Sequence, residues 1–115
     1  MKIPFILALL LIVLASTSNA QLMDDFNDSN FTQNPQWFGS DSNFMVNQNH
    51  QLQSNALATN STFYLTTANT LATEAQWQLY VQLAFNTSSL NYVDIYLTAS
   101  DSNLLASNLS GYYLR

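Results

Sequence analysis

Two rows of three residues carry the plainest chemistry in this sequence. Gln78, Tyr80 and Gln82 stand at every second position of one segment, and Tyr92, Asp94 and Tyr96 at every second position of the next. Residues two apart share a face when the chain is extended, so each trio lines one side of a strand. Tyrosine rings stack on the apolar faces of sugars, while amide and carboxylate groups bond their hydroxyls. The rows therefore read as a contact face for a glycan or for another protein. Tyr and Gln are also well tolerated on the solvent side of any strand, and that plainer reading stands beside the first.

Asp24, Asp25, Asn27 and Asp28 crowd a second short segment. Oxygen donors suit calcium, which makes Asp24, Asp25 and Asp28 the candidate metal ligands and calcium the candidate cofactor. The spacing lacks the glycine and closing glutamate of an EF-hand loop. The same residue types also build turns and cap strands without any ion. Asp101 and Asn103 form a weaker cluster of the same kind.

Catalytic groups are scarce. Glu74 is the sole glutamate, with no second carboxylate on its strand face, and His50 is the sole histidine, placed in a turn with no Ser or Cys arranged around it. General acid–base work on a glycoside needs two carboxylates flanking one bond. Asp94 has no such partner at strand spacing, so the chain reads as non-enzymatic.

Composition narrows the partners. The chain has 115 residues and no cysteine, so no disulfide framework holds it. Met1 and Lys2 precede an apolar run from Ile3 to Ala15, then Ser16-Thr17-Ser18-Asn19-Ala20, the pattern of a secretory signal peptide cut between Ala20 and Gln21. The run is well short of the roughly 20 residues that span a bilayer. Residues 1–20 are therefore read as signal and 21–115 as one exported domain, secreted or held at the cell surface. That domain keeps seven acidic residues against one base, Arg115, a formal charge of about −6. So few cations cannot neutralise phosphates, which argues against nucleic acid and anionic membranes as partners.

The elements that must position these residues are strands. In Glu74–Phe85, Trp77, Leu79, Val81, Leu83 and Phe85 alternate with Gln76, Gln78, Tyr80, Gln82 and Ala84, the strongest period-two pattern in the chain. Val93, Ile95, Leu97 and Ala99 alternate in the same way with Tyr92, Asp94, Tyr96 and Thr98. Asn86-Thr87-Ser88-Ser89 is turn chemistry, so the two segments are expected to pair as an antiparallel hairpin. Shorter strands are expected at Asn43–Asn47 and Gln51–Ser54, around Gln48-Asn49-His50, and at Thr62–Thr67. Asp24–Phe26 is expected to begin the sheet, while Asn34-Pro35 interrupts any strand there. Helical periodicity is absent after residue 20, and the reading is all-β with antiparallel pairing. Sequons at Asn27, Asn30, Asn60, Asn86 and Asn108 mark surface loops.

The order of these elements resembles the concanavalin A-like, laminin-G-like jelly rolls of large secreted bacterial surface proteins. The resemblance rests on Asp24-Asp25-Phe26, Phe31, Asn34-Pro35-Gln36-Trp37 with Gly39, Phe44-Met45-Val46-Asn47 and Leu52-Gln53. It continues through Trp77-Gln78-Leu79-Tyr80-Val81, Asn91 to Leu97 and Ser110-Gly111-Tyr112-Tyr113. It implies a β-sandwich whose concave sheet presents Gln78, Tyr80, Gln82, Tyr92, Asp94 and Tyr96 to a glycan or surface protein, without catalysis. The Glu-x-Asp-x-x-Glu signature of the related glucan hydrolases is absent. It also implies that 21–115 is the N-terminal part of a jelly roll stopping inside the strand Gly111–Arg115, with lamin-tail, immunoglobulin-like or sorting domains following in such proteins. An alternative function is a structural spacer with no ligand of its own.

Overall fold

A computed structural model describes residues 21–71 and 75–115. The signal segment with Ala20, and Glu74, lie outside the described residues. Within them the architecture is all-β: six strands, β1 (Trp37–Gly39), β2 (Phe44–Val46), β3 (Leu52–Ser54), β4 (Leu65–Thr67), β5 (Ile95–Ala99) and β6 (Gly111–Leu114), with one 3-10 turn at Asp41–Asn43. They pair antiparallel as three separate two-stranded sheets, β1 with β4, β2 with β3 and β5 with β6. No described helix is long and apolar enough to cross a membrane.

The β2–β3 hairpin forms where the spacing predicts it, with Val46 opposite Leu52 and Phe44 opposite Ser54. Its loop is Gln48-Asn49-His50, and His50 takes the left-handed conformation (φ 55°) that closes a three-residue hairpin loop. Asn47 stabilises the turn, its side-chain oxygen accepting from the amides of Asn49 (2.9 Å) and Gln51 (3.1 Å). Phe44 packs edge-on against Phe63, with ring centroids 5.4 Å apart.

β4 lies within the expected Thr62–Thr67 strand, but its partner β1 starts two residues beyond Pro35. Pro35 itself donates nothing and stays outside the ladder. Gly39, at φ 140°, lets the chain leave β1 tightly against Tyr64: a Cβ there would lie 2.7 Å from the Tyr64 carbonyl oxygen. Ser40 then donates its amide to that same oxygen (2.8 Å).

Two expectations fail, for different reasons. Asp24–Phe26 does not begin a sheet; it is a turn, because Asp24 accepts the Phe26 amide (2.9 Å) and Phe26 sits at φ 55°. Short acceptor side chains of this kind compete with ladder bonding by capturing nearby amides. The hairpin of Glu74–Phe85 with Tyr92–Ala99 does not form either. Residues 75–84 carry no strand, turn or bend, and the turn falls two residues later than the sequence places it, at Ser88–Asn91. Ser88 and Asn91 exchange both backbone bonds (2.9 and 3.2 Å) around Ser89-Leu90. Neither Ser89 nor Leu90 has positive φ. A two-residue turn matches strand twist only with left-handed central residues, as Asn-Gly supplies; without them the arms splay. One bridge is made and the ladder stops.

β5 pairs instead with β6. Ile95 faces Leu114 and Tyr96 faces Tyr113, then Thr98 faces Tyr112, leaving Leu97 as an extra residue in a β-bulge. Gly111 is required where β6 begins, since a Cβ there would run into the Thr98 carbonyl oxygen. The intervening loop is closed at its neck by Ser100 and Ser110, amide to carbonyl at 2.8 Å and amide to hydroxyl at 3.0 Å.

Candidate functional site

The β5–β6 pair gathers Tyr92, Asp94 and Tyr96 on one face. Adjacent residues of β6 point to opposite sides, so Tyr96, opposite Tyr113, and Thr98, opposite Tyr112, lie on opposite faces. The bulge thus removes Thr98 from the row that plain alternation would extend. Tyr96 and Tyr113 stack obliquely, with centroids 5.0 Å apart and planes at 31°.

Arg115 extends the same face. Its Nε and Nη2 donate to the two carboxylate oxygens of Asp94, both at 2.7 Å, a bidentate pair. The guanidinium lies 4.1 Å above the Tyr92 ring and 5.6 Å from that of Tyr113. Cation and carboxylate differ in exposure, 53% for the Arg115 side chain and 19% for Asp94. Bonding to Asp94 pushes the Arg115 pKa further above its ordinary range, against a smaller desolvation effect. The one base of residues 21–115 is therefore held by one carboxylate and two rings.

Beside this cluster opens a hollow of about 520 Å³, lined by Leu83, Thr87, Ser88, Ser89, Tyr92, Val93 and Arg115. It lies between the splayed arms beyond the Ser88–Asn91 bridge. It is open on one side, and its lining combines Leu83 and Val93 with hydroxyls and a guanidinium. An aromatic ring, three hydroxyls and a fixed cation suit a polyhydroxylated ligand.

The six residues expected to share a face divide. Tyr92, Asp94 and Tyr96 come together; Gln78, Tyr80 and Gln82 stay on the unpaired segment, with Tyr80 77% exposed. Among the described residues no hydrogen bond or ring pair joins the two trios. Sequence reasoning missed Tyr113 and the hydroxyls at 87–89 as site residues. A strand signal in Gly111–Arg115 was readable, but its register against β5 was not.

The acidic segment is turn architecture. Asp24 accepts the Trp37 indole N–H (2.8 Å) as well as the Phe26 amide, and Phe26 and Trp37 rings meet at 6.3 Å. Asp25 accepts the amide (3.1 Å) and the side-chain amide (2.6 Å) of Asn27, and Asp28 repeats both bonds with Asn30 at the same distances. Phe26 and Ser29, the middle residues, are both left-handed. Backbone and side-chain bonds from Asn27 hold the Asp25 pKa below its ordinary value. Among the described residues no three His, Cys, Asp or Glu side chains are grouped to take a metal ion. His50 stands near this segment, its Nδ1 3.5 Å from the Ser29 hydroxyl.

Compared with models of known families, with curated proteins and with solved structures, the chain matches none.

Proposed function

We propose that this chain is an exported, non-catalytic module that binds a glycan through Tyr92, Asp94 and Tyr96, with Tyr113 and Arg115 completing the face. The observation that carries the reading is the Arg115–Asp94 pair clamped over Tyr92 beside the hydroxyl-lined hollow. Fixed donors and acceptors next to an aromatic ring discriminate sugar hydroxyls at little ordering cost. Asp94 accepts from Arg115 through both oxygens, and their remaining lone pairs can accept from sugar hydroxyls.

The concanavalin A-like sandwich remains a proposal resting on the motif order, and the all-β character of the described residues supports it. Export rests on the Met1–Ala20 pattern, and a place in the medium or at the cell surface follows from it. The test is a glycan array probed with the full chain. Binding lost by about tenfold or more in Tyr92→Ala and Tyr96→Ala, with the far-ultraviolet dichroism unchanged, supports the face. A wild-type chain that binds no glycan overturns it and leaves a spacer without a ligand.

A further inference from the structure

The segment 75–85 is a neutral chain with an apolar row and no strand partner among the described residues. Trp77, Leu79, Val81, Leu83 and Phe85 are all more than a third exposed, between 38% and 46%. Among the described residues no backbone hydrogen bond involves residues 75–85. From Ala75 to Val93 there is no charged residue, no Pro and no Gly, the composition of a strand that adds readily to another. Open ladder groups and an apolar row on one segment are a template for pairing.

We propose that this segment binds a second copy of the same chain, as an antiparallel strand pair centred on Tyr80. The sequence is self-complementary in that register, the one that overlaps the whole of 75–85 with its copy; even shifts keep the rows matched over a shorter overlap, and odd shifts do not match them. A two-fold axis at Tyr80 sets Gln78 opposite Gln82 and Leu79 opposite Val81, so the polar and apolar rows each meet their own kind. A shift of one residue would set the Gln row against the apolar row. Gln side chains offer both donor and acceptor, so the Gln78–Gln82 contact satisfies itself twice about the axis. Absence of charge removes the repulsion that ordinarily blocks pairing between identical strands. The contact is isologous, which identical copies make by a two-fold axis. It lies on a different segment from the Tyr92–Asp94–Tyr96 face, and the two share only Leu83, which also lines the hollow beside that face.

The chain contains no cysteine, so single replacements report on the pairing directly. Tyr80→Cys should form a disulfide-linked dimer under mild oxidation, because facing residues in an antiparallel pair lie about 4.5–5.5 Å apart at Cα, within disulfide reach. Gln76→Cys should stay monomeric under the same conditions, since its copy would lie about 27 Å away along the strands. Sedimentation equilibrium of the full chain should show a concentration-dependent dimer, weakened at least about tenfold in Val81→Lys, which sets a cation against the partner's apolar row. Hydrogen exchange of β5 and β6 amides checks that Val81→Lys keeps its remaining structure. A wild-type chain that stays monomeric to its solubility limit overturns the proposal. So does equal cross-linking of Tyr80→Cys and Gln76→Cys, which would mean parallel in-register stacking, and so does protection of the 76–84 amides in a monomer.

Discussion

Asp24 does more for this protein as a hydrogen-bond acceptor than it would as a cation ligand. One oxygen holds the Phe26 amide and the other the Trp37 indole, so a single carboxylate joins the first turn to β1. Asp24→Ala should cost about 2 kcal/mol and expose the Trp37 indole to water, read as a red shift in tryptophan fluorescence. Asp25 makes a separate prediction. Its folded pKa is below the ordinary 3.8, so its bonds to Asn27 stabilise the turn above that value, and this contribution is lost as pH falls through the lower folded value. Amide shifts of Asn27 should therefore be flat at neutral pH and move only in the acid range below 3.8. The pattern Asp-x-Asn, present twice in Asp25-Phe26-Asn27-Asp28-Ser29-Asn30, was readable as turn chemistry in the sequence. What it hid was Asp24's reach to Trp37, thirteen residues on, since contacts at that separation follow from how the turn is aimed.

Strand signals divided by how much they depended on a turn. Around Asn47 to Gln51 the loop length and a residue able to take positive φ agreed, and β2 and β3 paired as expected. Trp77 to Phe85 had the better alternation but no competent turn beside it, because Ser89-Leu90 lacks a left-handed residue. Alternation says which side a residue would face, and a ladder still needs an edge delivered at matching twist. The candidate site was legible only in part for the same reason: Tyr92, Asp94 and Tyr96 follow from period two, whereas Tyr113 and Arg115 join them through a register that includes a bulge. That bulge predicts two deletions. Removing Leu97 should leave Tyr96 opposite Tyr113 and Thr98 opposite Tyr112, seen as retained cross-strand nuclear Overhauser effects. Removing Ile95 should turn Asp94 to the other face, and the ring-shifted signals of Tyr92 should move as Arg115 loses its carboxylate.

Taken whole, the described chain buries no residue fully, and its radius of gyration is 20.5 Å. A compact domain of 100 residues has a radius of about 13 Å, so the three hairpin-like sheets do not close over a common interior. Two-stranded sheets without a covering layer are marginal in water. Thermal unfolding of the full chain at low concentration should accordingly be broad, with a small denaturant dependence, because little surface is newly exposed. A sharp transition with the denaturant dependence of a closed domain would contradict this. Six Phe, six Tyr and two Trp follow residue 20, enough rings for a packed interior, yet Tyr80, Tyr112 and Tyr113 are surface residues and the closest ring pairs, Tyr96 with Tyr113 and Phe44 with Phe63, lie in half-exposed places. Composition counts rings but does not say which sheets they will bring together.

The neck formed by Ser100 and Ser110 has a consequence for tolerance to insertion. Because those two residues bond to each other, residues 101–109 hang from a pair of anchors where β5 ends and β6 begins. Closure entropy grows only slowly with loop length, so this stretch can be lengthened or shortened at small cost in stability. A residue inserted between Ser102 and Asn103 should therefore leave the Tyr96–Tyr113 register unchanged.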